Sequence, residues 1–111
     1  MKEKDKVIIK KMISYSDDIE GYVDGLHFSG FEENSVIHRA CALTILQIGE
    51  LSKRLSEDLK EEYSQVPWKD MRDARNFLAH EYESLKMNLL WMVVKESVPK
   101  LKEQLINILK D

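Results

Sequence analysis

Apolar side chains recur early in the chain at steps of three and four: Val7, Ile8, Met12, Tyr15, Ile19, Tyr22, Val23 and Leu26. That spacing draws a single stripe along a helix and predicts one from about Lys4 to Leu26. Gly25, Gly30 and the pair Phe28/Phe31 mark where it loosens into a loop. Asn34 or Ser35 can cap the next helix, whose stripe is Ile37, Ala40, Cys41, Leu43, Thr44, Ile48, Leu51 and Leu55. The width of this stripe suits a central helix. Ser56 followed by Glu57 and Asp58 opens a short helix, read as a solvated connector.

Pro67 stands where a third long helix begins, a position at which its missing N–H costs nothing. That helix runs from Trp68 to about Glu81, with Met71, Ala74 and Leu78 on its core face. Ser84 can cap the last helix, which carries Leu85, Leu89, Leu90, Val93, Val98, Leu101, Leu105 and Ile108. Pro99 should kink or divide it near Ser97. The pattern therefore predicts an all-α protein, an antiparallel four-helix bundle with an additional short helix, with residues 1–111 as a single domain.

Composition adds limits. The chain has 111 residues, of which 43% are hydrophobic and 33% charged, with four Gly and two Pro. Roughly two-thirds of the surface of a chain this long can be buried on folding, enough for a core without disulfides or metals. Seventeen basic against twenty acidic side chains leave a net charge of −3. A protein coating nucleic acid through its whole field would be basic, so RNA contact would have to be local. A lone cysteine, Cys41, permits no internal disulfide and suits a reducing compartment. Only three apolar residues, Val7 to Ile9, precede Lys10, too few for a signal peptide or a membrane span. The expected location is the cytoplasm.

Most familiar chemistries are missing. His27, His38 and His80 lack metal-ligand spacing, Cys41 has no CxxC partner, and no phosphate-cradling glycine loop or GxSxG elbow occurs. Neither a metal nor a cofactor is expected. Cys41 reads as a small buried hydrophobe, and His38–Arg39 as a polar pair making a structural or surface contact.

The segment Arg75-Asn76-Phe77-Leu78-Ala79-His80-Glu81-Tyr82 is different. An imidazole can take a proton from a ribose 2′-hydroxyl or give one to a 5′-oxygen near neutral pH. A guanidinium, always charged and forked, can hold the phosphate and stabilise its added negative charge. Asn76 supplies a neutral donor and acceptor beside it. On an ideal helix Arg75 and Tyr82 lie ~20° apart, whereas Arg75 and His80 lie ~140° apart. The pair can converge if Arg75 leans across the turn, if the helix ends near His80, or if a two-fold dimer joins two copies of the segment.

This block resembles the R-x(4–6)-H motif of the HEPN superfamily, in its HepT-like toxin form R-N-x-L-x-H-x-Y. Pro67-Trp68, Ile48-Gly49-Glu50 and Val98-Pro99-Lys100-Leu101 also look like family features. The resemblance implies a helical bundle that forms a homodimer and cleaves RNA without a metal, as the toxin of a two-component pair. It implies that Arg75 and His80 are the catalytic pair, with Asn76 as the polar residue after the Arg. It further implies that Tyr82 is the site at which a minimal nucleotidyltransferase antitoxin, a separate protein, adds AMP and silences the toxin. On Arg75's face, Tyr82 would carry that phosphate next to the guanidinium. A contrasting reading is a non-catalytic dimeric helical module that binds a nucleotidyltransferase or a nucleotide.

Overall fold

The first apolar stripe folds as α1, Glu3–Tyr22, with Glu3 and Asp5 in the first turn, where carboxylates offset the positive helix end. A computed structural model describes all residues, 1–111. Helix α1 ends four residues before Leu26 because Gly25 takes φ +76°, a left-handed turn that side-chain-bearing residues rarely adopt. The following stretch is a six-residue helix, α2 (Phe28–Glu33), where the glycines and aromatics suggest a loop. Burial explains the difference. Phe31 is fully enclosed and its ring lies 4.9 Å from that of Trp91, so the segment is pinned by its apolar side despite Gly30.

Asn34 caps α3 (Ser35–Lys53), its side-chain oxygen accepting the Ile37 N–H at 3.0 Å. This helix is central as expected, packed against both α1 and α5 (Trp68–Glu81). Its Cys41 is fully buried, and burial pushes the thiol up to about 11. Leu43, assigned to the stripe by spacing, instead faces outward and is 56% exposed. Helix α5 has no fully buried residue; Met71, Ala74 and Leu78 are only half-buried.

Ser56 caps α4 (Glu57–Glu62) through the Leu59 N–H at 3.2 Å. The same residue donates from its backbone (3.0 Å) and hydroxyl (2.6 Å) to Asp5, buried at the start of α1. Burial opposes ionisation of Asp5, but the two Ser56 bonds, with Lys2 and Lys4, outweigh it and hold the carboxyl below its ordinary value. Asp5→Ala should therefore cost about 2 kcal/mol in urea unfolding at neutral pH. A group with a depressed folded pKa stabilises above its unfolded value, ~4, and that contribution is lost as pH falls through the folded value. The gap between wild type and Asp5→Ala should thus be full at pH 6 and shrink below pH 4. An equal gap at both ends would refute the linkage.

The last rod has three parts: α6 (Met87–Met92), a π turn over Val93–Ser97, and α7 (Val98–Lys110). The division falls where Pro99 places it. Proline has no N–H to continue the ladder, and the Val98 N–H reaches back five residues to the Val93 carbonyl. Ser84 does not cap this rod. It ends a 3₁₀ turn, Tyr82–Ser84, and the helix starts after Lys86. The architecture is thus all-α, with four long helical rods and two short helices, α2 and α4, where the pattern marks one. No helix is long and apolar enough to cross a membrane.

Candidate active site

Arg75 sits mid-way along α5, opposite Gly49 of α3. A Cβ at position 49 would come within 2.6 Å of Arg75 Cβ and 2.9 Å of the Met71 carbonyl oxygen. Only a glycine lets the two backbones approach this closely. The Arg75 stem is thereby laid against α3, and its guanidinium meets the next residue, Glu50. Arg75 Nε donates to Glu50 Oε1, and Nη1 donates to Asn76 Oδ1 at 3.2 Å. Lys53 Nζ lies 3.7 Å from the same Glu50 oxygen. Two neighbours therefore fix the plane of the guanidinium, while Asn76 is exposed and the Arg75 side chain is about a quarter exposed (26%). The fork is oriented from behind, with an edge left for an anion.

His80 is exposed in the last turn of α5. Because α5 is unbroken from Trp68 to Glu81, the divergence of Arg75 and His80 around the axis stands, ~140°. Arg75 leans to Glu50 rather than across its own turn. One chain does not bring the two side chains together.

Tyr82 departs from the expected face. The helix ends at Glu81 (φ −128°, ψ 19°) and Tyr82 opens the 3₁₀ turn, so the helical spacing from Arg75 no longer applies. Its ring turns to the start of α3. The hydroxyl is hydrogen-bonded to His38 Nδ1 at 2.5 Å, and the two rings stack with centroids 6.2 Å apart. The Arg39 guanidinium lies 5.4 Å from the Tyr82 ring centre and 4.0 Å from Glu83. His38 and Glu50 are twelve positions apart in α3, ~18 Å along its axis. The Tyr82 hydroxyl and the Arg75 fork are thus held at different stations, and a phosphate on Tyr82 would not sit beside Arg75 of the same chain. Burial, then Arg39, lowers the His38 pKa; burial, with Arg39 opposing, raises that of Tyr82.

Beside these groups runs an apolar face. Leu43, Leu46 and Leu78 line a shallow depression next to Tyr82, and Leu78, Phe77, Leu85 and Leu89 line a second. Leu43, Phe77, Leu89 and Met92 are each at least 41% exposed. Nowhere do three or more His, Cys, Asp or Glu side chains converge to hold a metal ion.

Glu50 and Gly49 were visible in the sequence only as part of the family resemblance, without roles. The pairing of His38 with Tyr82, 44 positions away, had no signal in one sequence.

Fold and site together define an all-helical protein that presents an arginine and a histidine from one helix beside an uncovered apolar face. A family model described as "Ribonuclease HepT-like" matches residues 12–108. The chain belongs to this HepT-like ribonuclease family. Among its relatives, the probable ribonuclease HepT of Thermococcus cleftensis is 29% identical over 102 residues, covering 92% of this chain and 93% of the relative. A Methanocaldococcus jannaschii protein, named provisionally as an RNase, is 32% identical over 99 residues (89% of this chain, 91% of the relative). A similarly named protein of Caldanaerobacter subterraneus is 33% identical over 88 residues, 79% of each chain. No solved structure is a significant match.

Proposed function

We propose that the protein is a metal-independent endoribonuclease that works as a homodimer, the toxin of a two-component pair. The observation carrying this reading is the Arg75 fork, fixed by Glu50 and Asn76, on the same helix as the exposed His80. The Arg75 edge binds the scissile phosphate and stabilises the charge it gains. His80 accepts the proton of the ribose 2′-hydroxyl as that oxygen attacks phosphorus, or donates one to the departing 5′-oxygen. The two groups diverge within one chain, so a second copy seated on the apolar face of α3, α5 and α6 would bring the partner's motif to a shared cleft. Two copies then supply one base and one acid.

Cleavage of RNA by the wild-type chain should persist in excess EDTA, and loss of activity on chelation would defeat the metal-independent reading. Sedimentation should give a dimer at micromolar concentration. Phe77→Glu, which puts a charge into the uncovered face without opening the core, should give a folded monomer with reduced cleavage. A wild-type monomer that is fully active would defeat the shared cleft. The toxin is silenced when a nucleotidyltransferase antitoxin adds AMP to Tyr82. Blockage then arises at the rim of the apolar face, since Tyr82 borders the depression lined by Leu43 and Leu78.

A further inference from the structure

The four tyrosines differ in what their hydroxyls touch. Tyr63 donates to the carboxylate of Asp111 at 2.7 Å, and Tyr82 is bonded to an imidazole. A carboxylate, with an ordinary pKa near ~4, is a poor acceptor for a phenolic proton at ~10; imidazole, at ~6.5, is far closer. The imidazole is also held in place. The Phe31 ring packs edge-on to His38 with centroids 6.0 Å apart, and Phe31 itself is fully buried against Trp91.

We propose that His38 is the catalytic base for modification of Tyr82, its Nδ1 taking the phenolic proton as the Tyr82 oxygen attacks the α-phosphorus of ATP. The proposal rests on the reading of Tyr82 as the site of AMP addition. The new bond joins Tyr82 Oη to the α-phosphorus; the bond from that phosphorus to the oxygen bridging to the β-phosphate breaks, and pyrophosphate leaves. The proton passes from Oη to Nδ1 and then to solvent. For Nδ1 to accept, the ring must be neutral, with its own hydrogen on Nε2.

The surroundings favour that state. Burial and the neighbouring Arg39 depress ionisation of His38, so the ring is neutral near pH 7. Burial keeps the Tyr82 phenol protonated, so the proton has to leave during the attack and not before it. The other groups facing the pair are Glu83, exposed, and Cys41, a neutral thiol. Arg39 pairs loosely with Glu83 at 4.0 Å, and both side chains are mostly exposed, so its guanidinium is free to turn to an incoming phosphate.

The test needs no partner protein. The full-length chain is treated with N-acetylimidazole, which acetylates tyrosine oxygens, and the rates at Tyr82 and the exposed Tyr22 are read by peptide mass in the same sample. His38→Asn keeps an acceptor near Nδ1 but is not basic; unchanged tryptophan fluorescence checks the Phe31–Trp91 packing. With His38 as base, the Tyr82/Tyr22 ratio at pH 7 falls at least about tenfold in His38→Asn, a small part of what general-base catalysis commonly supplies. In wild type the Tyr82 rate levels off above the imidazole titration, whereas in His38→Asn it climbs about tenfold per pH unit, as a reaction through free phenolate must. An unchanged ratio, a wild-type rate climbing throughout, or a Tyr82 that stays unacetylated while Tyr22 reacts would each overturn the base. AMP addition is read separately, by intact mass after incubation with a nucleotidyltransferase and ATP. A mass gain surviving Tyr82→Phe removes the site and the proposal together, whereas an unchanged acetylation ratio removes the base alone.

Discussion

His80→Ala should lower RNA cleavage by about 10²-fold or more, the usual contribution of a positioned acid or base. Arg75→Ala should cost a comparable factor, because the charge that grows on the phosphate loses its fixed partner. Neither loss should come from unfolding. His80 is exposed, and substitution of exposed residues usually shifts stability by no more than about 0.5 kcal/mol. Arg75 gives up its bond to Glu50, but Glu50 is 42% exposed and stays hydrated without it. Arg75→Lys separates charge from shape: it keeps the cation but not the fork that Glu50 and Asn76 set, so most of the loss should remain. Cleavage rates on a labelled RNA, beside thermal melts, check all three. If His80→Ala cuts at the wild-type rate, the proton-transfer role is wrong. If all three variants match a cleaving wild type, the cleavage does not run through this motif; if the wild type itself cuts no RNA, the chain is the non-catalytic helical module.

Gly49→Ala should be nearly as damaging, although residue 49 touches no substrate in the proposed mechanism. Two effects oppose each other. Replacing a mid-helix glycine with alanine favours the helix by about 1 kcal/mol. The new Cβ, however, would lie 2.6 Å from Arg75 Cβ and 2.9 Å from the Met71 carbonyl. Neither obstacle is the far end of a flexible side chain, so α5 itself has to move, and overpacking of this kind costs about 1–3 kcal/mol. The clash therefore cancels or exceeds the propensity gain. A shift of α5 displaces the Arg75 fork, and misplacement by about 1 Å can lower a rate ~10²-fold. The expected result is a modest drop in melting temperature with a large drop in cleavage. A variant at least as stable as wild type and fully active would show that the close approach of α3 and α5 does not matter.

What the sequence made legible was local. The α5 bounds, the Asn34 and Ser56 caps and the break before Pro99 each depend on residues within one or two turns, and each was readable. The short α2 was not, because it is held by Phe31 docking on Trp91, sixty positions away, and local propensity has no access to that contact. Leu43 lies outside the core for a related reason. Spacing marks an apolar stripe but cannot say how much of it the chain itself covers, and here the edge of the stripe is left open to solvent. In the candidate site, residue types were readable and orientation was not. The order of Arg75, Asn76 and His80 is legible along the chain, whereas the contacts of Glu50 and Gly49 with Arg75, and of His38 with Tyr82, come from a second helix. The face expected for Tyr82 holds only on a continuous helix, and α5 stops one residue before it.

The π turn at Val93–Ser97 bears on how the chain can vary in length. Leu90 and Val98, both almost fully buried, are eight positions apart, which on a regular α-helix would set them ~80° out of line. The wide turn takes up the surplus residue and returns both to the core. A seven-residue spacing would leave them only ~20° apart without any such device. Deletion of one residue from the exposed stretch Lys95–Ser97 should therefore be absorbed by reversion to ordinary helical winding, with the side chains on either side still in phase. The same deletion within α3 or α5 has no slack to draw on and would rotate half of a helix away from its neighbours.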